Sequence, residues 1–270
     1  MPKPVLDLIV ASALIQTAPV PAALFNPPLD RTFTYVTDQR RSDPAGERRY
    51  RVERALRFSR DADGLFADLT LTRIDGDADG GGFERGLAGL KDRTIRYRLD
   101  PQGRLTTIPG IEGHWAAFAG GLANTDAPQG AQRTLAALRS APPAQQRAML
   151  WSMIEPVILP GLAAQAPYRL RPVSQPGRAP FATGAMLSGT ESLSRVADGG
   201  IELRRMVSGA HRAALGQATE TVERDRDTRV TLDAATGLLT GSTEVTRTRI
   251  GAVEQVVTTR LSLSQNQTGN

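Results

Sequence analysis

The chain has 270 residues, of which 40% are hydrophobic, and a formal net charge of +5. This content supports a substantial buried core and excludes a disordered chain. Nearly all of the positive charge is arginine interleaved with Asp and Glu, rather than a basic block with aromatic partners, so no nucleic-acid partner is predicted. The lack of cysteine excludes disulfides, thiolate metal sites and cysteine nucleophiles.

The N-terminal segment has the features of a secretory signal. An apolar run follows an early lysine, and Val20 and Ala22 occupy positions −3 and −1 of a cleavage site. We therefore predict a signal peptide over residues 1–22, a Pro-rich linker over 23–30 and a mature chain that begins near Ala23 and is periplasmic or secreted. A short N-terminal helix or strand is the alternative. No later stretch reaches the roughly 18 apolar residues of a membrane span, which predicts a soluble mature protein.

Residues 31–110 are predicted to form a first β half. Apolar and polar residues alternate over 50–58, a turn follows at 61–64, and the alternation resumes over 65–71 and again over 95–99. In the first of these strands, one face contains Tyr50, Val52, Leu56 and Phe58, and the other contains Arg49, Arg51, Glu53 and Arg57.

The middle of the chain changes its period. Helical spacing of apolar residues and a proline at a first helical turn predict a mostly helical insert over 111–158. Repeated prolines over 159–180 predict a loop-rich crossing, after which alternation predicts a second β half over 181–265. We therefore predict a single α+β domain over 31–270.

The two β halves have similar turns. The stretches "YRLDPQGRLT" and "VTLDAATGLLT" each combine an apolar strand, Leu-Asp, a glycine turn and Leu with Thr. An internal duplication would explain this likeness, but two similar turns in a long meander would also arise by chance. The fold class is accordingly α+β, with one large twisted antiparallel sheet, either continuous or built of two related halves, packed around the helical middle.

The stretch "IDGDADGGGFERG" begins like a calcium-binding loop. Asp75, Asp77 and Asp79 alternate and Gly80 supplies the sharp turn, but the position of the closing glutamate is Gly86. We predict a turn rather than a metal site. The glycine run also lacks the Lys-Ser/Thr of a phosphate loop, and no cofactor is predicted.

No catalytic residue is predicted. The only histidines are His114 and His211, and no Gly-x-Ser-x-Gly turn marks a nucleophile. A hydrolase is therefore the third functional alternative, and a buried His–carboxylate pair in a cleft would favour it.

The apolar helices provide the candidate ligand-binding residues, which are Trp115, Phe118, Met149 and Trp151. These side chains could line a cavity for an apolar ligand, or they could fill the space on one face of the sheet as ordinary core.

The combination of export, long antiparallel strands, an interposed helical segment and turns such as "LDPQGRL" resembles uncharacterised proteobacterial exported proteins and, more distantly, the lipoprotein-carrier (LolA-like) superfamily. The resemblance concerns the layout of residues 31–265 and no specific motif. It implies a curved sheet around helices that holds acyl chains. We therefore expect a non-enzymatic periplasmic module that binds a lipid or lipoprotein acyl chain. The alternative is an envelope protein-interaction or scaffolding module with a filled core.

Overall fold

The protein forms one 11-stranded antiparallel sheet, which confirms the predicted large antiparallel sheet. The computed structural model describes residues 25–76, 82–123, 136–137, 139–176, 185–215 and 218–265. The strands are β1 (Thr32–Asp43), β2 (Gly46–Asp61), β3 (Gly64–Gly76), β4 (Thr94–Leu99), β5 (Leu105–Thr107), β6 (Tyr168–Pro176), β7 (Met186–Arg195), β8 (Gly200–Leu215), β9 (Ala218–Asp233), β10 (Leu239–Ile250) and β11 (Val253–Gln265).

The sheet consists of two meanders that meet at their first and last strands. Its order is β5-β4-β3-β2-β1-β11-β10-β9-β8-β7-β6, so the pairing of β1 with β11 joins the first meander to the second. This pairing runs in register from Phe33 with Gln265 to Ser42 with Val256. Backbone hydrogen bonding is therefore continuous from one meander to the other.

Both edges of the sheet carry features that restrict further pairing. β6 contains Pro172 and Pro176, and proline cannot donate a backbone hydrogen bond to an added strand. At the other edge β5 has only three residues, and Arg147 Nη2 donates to the carbonyls of Leu105 (3.0 Å) and Thr106 (2.9 Å).

The helical middle is present only in part. Four helices are described, α1 (Gly82–Gly89), α2 (Ile111–Ala123), α3 (Pro143–Trp151) and α4 (Pro160–Ala163), with one 3₁₀ turn over Glu155–Val157. Among the described residues of 111–158, the chain leaves the helix after Trp151 for a turn, so this segment is a series of short helices. None of the described helices has the length and apolar character to cross a membrane.

Two segments interpreted as irregular from their prolines pack on the sheet. Phe25, in the segment predicted as a linker, is 2% exposed, and its amide donates to the carbonyl of Pro101. Within 159–180 the chain forms α4 and then β6, because an edge strand tolerates proline where a central strand does not. The predicted signal peptide over 1–22 and its cleavage site lie outside the described residues.

The hydrophobic core occupies one side of the sheet, here called the inner face. It joins alternating residues of both meanders to the apolar sides of α1–α4. A row of polar side chains crosses this face, and its members are cross-strand neighbours and therefore share a face. From β1 to β7 the polar row contains Gln39, Thr259, Glu244, Thr228, Arg205 and Glu191. Beyond it lies a second, smaller apolar cluster of Leu187, Val207 and Val222.

Candidate functional site

A buried arginine lies in the main core. Arg54 is in β2 between Val52 and Leu56, both fully buried, and is itself only 6% exposed. It is directly opposite Tyr35 of β1, whereas Tyr50, four residues earlier in β2, is opposite Gln39 of the polar row. Arg54 therefore lies on the core side of the polar row, among apolar side chains.

Strand alternation places Arg54 on the inner face. Residues 52, 54, 56 and 58 of β2 are all buried, as the period of two requires for one face. The prediction that Val52, Leu56 and Phe58 share one face of this strand is confirmed, but Arg54 was not assigned to that face. The sequence does contain the pattern that identifies Arg54, because an arginine there occupies an apolar-face position of a regular strand. A register shift between β2 and β3 falls at Glu53 and Arg54.

The contacts of Arg54 leave the Nε of its guanidinium without a hydrogen bond to any described residue. Nη1 donates to Thr37 Oγ1 at 2.8 Å, and the guanidinium carbon lies 4.8 Å from the centre of the Tyr35 ring. Nε is buried and has no hydrogen-bond partner in the described part of the chain. No carboxylate of the described residues forms an ion pair with this arginine.

Two other arginines of the sheet, Arg205 and Arg171, share a carboxylate partner. Arg205 is also 6% exposed and donates through Nε (2.8 Å) and Nη2 (2.5 Å) to Glu191 Oε2. Arg171 Nε and the Tyr168 hydroxyl donate to Glu191 Oε1 at 2.6 and 2.8 Å. Arg54, equally buried, has no comparable arrangement.

These contacts set the pKa values in the Glu191 cluster. Burial alone would raise the pKa of the Glu191 carboxyl, but the hydrogen bonds from Arg205, Tyr168 and Arg171 outweigh it and hold the pKa below its usual value. Burial, followed by the hydrogen bond to Glu191, raises the pKa of Tyr168 to about 12. The cluster is therefore held in its ion-paired form at neutral pH.

The four predicted ligand-binding residues lie on the inner face in two pairs. Trp115 and Phe118, on successive turns of α2, stack with ring centres 5.0 Å apart. Met149 and Trp151 are in α3, and Trp151 meets Tyr97 of β4 edge-on at 6.0 Å. Three of the four are buried, with exposures of 2–6%, whereas Trp151 is half-buried.

Tyr97 connects α3 with the surroundings of Arg54. Its hydroxyl donates to the Leu150 carbonyl at 2.9 Å, which fixes the end of α3 over the sheet. Burial strongly raises the pKa of Tyr97, and the charge of Arg54 opposes that shift. A further donor without an acceptor lies in the same core, since Trp115 Nε1 is buried and has no hydrogen-bond partner in the described residues.

The other candidate chemistry is sparse in the described residues. They contain no group of three or more His, Cys, Asp or Glu that could hold a metal ion. Asp75 lies in β3 and pairs with Arg73 at 2.8 Å, whereas Asp77, Asp79 and Gly80 lie outside the described residues. Burial, then the charge of Arg93, lowers the pKa of His114.

One open groove of about 590 Å³ lies at the turn end of β2 and β3. Arg60, Asp61 and Arg98 contribute to its lining, together with Asp100 and Thr106. Its lining residues carry charges of both signs, and none of the four predicted ligand-binding residues lines it. We therefore place the candidate site at Arg54 on the inner face.

No protein-family model matches the chain, and no curated protein matches it significantly.

Proposed function

We propose that the protein is a non-enzymatic module that binds an amphipathic ligand with an acyl chain on the inner face of its sheet. Two buried donors carry the proposal. Arg54 Nε and Trp115 Nε1 both lie in the apolar core and have no acceptor in the described part of the chain. Buried polar groups are almost always hydrogen-bonded, and an exception calls for a partner.

The surroundings of these donors favour an apolar body with a polar end. The donors lie among aromatic and aliphatic side chains, including Tyr35, Tyr97 and Phe118. Ligand sites of this kind combine an apolar lining with a few polar groups that fix orientation. The half-buried Trp151, next to Tyr97, is the proposed position at which the acyl chain meets solvent.

The resemblance to LolA-like proteins and the periplasmic or secreted location belong to the same proposal. We also propose that the two halves of the sheet are related by an internal duplication. Its support is that the turns at Gly103 and Gly237 both have a positive φ, of 75° and 69°, and an aspartate, Asp100 or Asp233, that accepts backbone amide hydrogen bonds. Both glycines also pack closely against residues 158–160.

A second candidate function is protein interaction or scaffolding in the cell envelope. The observation in its favour is that Trp115, Phe118 and Met149 are almost completely buried, as expected of a filled core. On this interpretation the helices only cover the sheet.

Tryptophan quenching by dibromostearate separates the two candidates, because bromine quenches only at close range. Ligand binding predicts saturable quenching in delipidated protein, with stearate as the unbrominated control. Trp151→Phe should remove most of the quenching at saturation, whereas Trp115→Phe, which removes a proposed donor to the ligand, should weaken the affinity but retain the quenching at saturation. A folded protein that shows no saturable quenching would favour the scaffolding function.

A further inference from the structure

We propose that Arg54 is the head-group site of this ligand and that the head group is an anion, a carboxylate or a phosphate. The inference rests on the proposed function, which it makes specific, since a neutral acyl compound would satisfy that function equally well. Its basis is a charge within the core that has hydrogen-bond and aromatic contacts but no counter-ion in the described residues.

Most of the charged side chains buried in this sheet form ion pairs. Five charged side chains are buried among the described residues, namely Arg54, Glu191, Glu202, Arg205 and Arg224. Glu191 pairs with Arg205, Glu202 pairs at 2.5 Å with exposed Arg204 and Arg229, and Arg224 donates through Nε to Thr248 Oγ1 at 3.2 Å. Buried charges in proteins are normally paired, and Arg54, unlike Glu191, Glu202 and Arg205, has no ion-pair partner among the described residues.

Arginine cannot reduce the free-energy cost of burial by losing its proton. A buried lysine or carboxyl group shifts its pKa and becomes neutral, but a guanidinium stays charged in proteins. Neither Thr37 nor Tyr35 supplies a negative charge, although each attracts a cation. An anion is therefore the partner that completes this site.

The geometry of the Arg54 guanidinium also suits an anion. A guanidinium has five N–H donors arranged to bind carboxylate or phosphate oxygens in pairs. Thr37 accepts from Nη1 only, and Nε remains as a buried donor. The neighbours along β2, Val52 and Leu56, supply an apolar floor for the adjoining chain. The apolar side chains on both sides of Arg54 therefore suit a charged head that carries an acyl tail.

The test compares three probes with delipidated protein: oleate, oleyl alcohol and inorganic phosphate. The first two are titrated by tryptophan fluorescence, and phosphate is assayed by its effect on Tm against chloride at equal ionic strength. The variants are Arg54→Gln, Arg54→Lys and the control Arg57→Gln. Arg57 lies in the same strand on the outer face, is exposed and pairs with Asp30 at 2.8 Å.

The wild type should bind oleate at least about tenfold more tightly than oleyl alcohol, the usual scale for a charge-assisted hydrogen bond. Arg54→Gln should lower the oleate affinity to about that of oleyl alcohol and so remove the preference. Arg54→Lys should restore part of it, and Arg57→Gln should behave as the wild type. Far-UV circular dichroism checks that each variant is folded.

Three other outcomes are informative. Equal affinity for oleate and the alcohol, or an unchanged oleate preference in Arg54→Gln, would overturn the anionic head group while the acyl-binding function stands. If neither acyl probe binds but phosphate raises Tm only when Arg54 is present, the site takes a free anion and the acyl-binding function is wrong. If no probe acts, both proposals are wrong.

Discussion

Removing the charge of Arg54 should not destabilise the ligand-free protein, although the residue is 6% exposed and lies in the core. In Arg54→Met, the lost contacts are the hydrogen bond to Thr37, about 1.5–3 kcal/mol for a charged donor, and the cation–π contact with Tyr35, about 0.5–2 kcal/mol. The gain is the desolvation penalty of a buried ion, which is several kcal/mol. These terms nearly cancel, and the expected change is between zero and about 2 kcal/mol of added stability.

The same substitution at Arg205 is the matched comparison, because this residue is equally buried and lies on the same face. Arg205→Met leaves the Glu191 carboxylate buried with less compensation. Breaking a buried pair in this way costs about 3–5 kcal/mol, and the remaining contacts with Arg171 and Tyr168 reduce the expected loss to about 2–4 kcal/mol.

Urea unfolding of delipidated protein, followed by tryptophan fluorescence at neutral pH, measures both changes. The two variants should differ in the free energy of unfolding by at least about 2 kcal/mol, with Arg54→Met the more stable. If Arg54→Met were destabilised as much as Arg205→Met, Arg54 would be a structural residue, and the argument from its missing counter-ion would be refuted.

Three further predictions concern other parts of the sheet. Gly237→Ala should destabilise the protein by about 2–4 kcal/mol in thermal unfolding, because its φ is +69° and a β carbon would lie 2.8 Å from the Pro160 backbone. The control Gly110→Ala, with φ +67° and open space, should cost about 1 kcal/mol. Equal losses in the two variants would contradict the close packing at Gly237. Because the pKa of Glu191 is lowered, its contribution to stability is present above about pH 4.5 and lost as the pH falls below that value. Glu191→Gln should therefore flatten the acid side of the curve of unfolding free energy against pH. An unchanged slope would count against the ion-pair cluster. Because the pKa of Tyr168 is raised, its contribution to stability is complete below about pH 10 and is lost as the pH rises towards about 12. Tyr168→Phe should therefore remove a late step from the tyrosinate absorbance titration. An identical titration curve would show that the pKa of Tyr168 is not perturbed.

Local pattern was sufficient for most strands of the two meanders. The alternation over 50–58 and 65–71 predicts the β2–β3 hairpin, because one buried face imposes a period of two. The glycine turn at Gly237 was likewise predictable, since its positive φ favours glycine. What local pattern lacks is the pairing of β1 with β11, which joins residues more than 200 positions apart in the sequence.

The candidate site was only partly accessible to the same reasoning. Helical spacing placed Trp115 and Phe118 together, and the structure stacks their rings. Arg54 was overlooked because a strand face is assigned from its majority of residues, and Val52, Leu56 and Phe58 dominate this one. That Arg54 lacks a carboxylate depends on which strands flank β2, and those neighbours are set by long-range pairing.

The ion pair between Arg54 and the ligand head group can be observed directly by carbon-13 NMR of oleate labelled at its carboxyl carbon. With wild-type protein, we expect a bound carboxyl signal that stays in its ionised position well below the pH at which free oleate titrates, because the guanidinium stabilises the carboxylate. With Arg54→Gln that signal should be lost or should titrate like free oleate. The same bound signal and the same titration in both proteins would contradict the assignment of Arg54 as the head-group site.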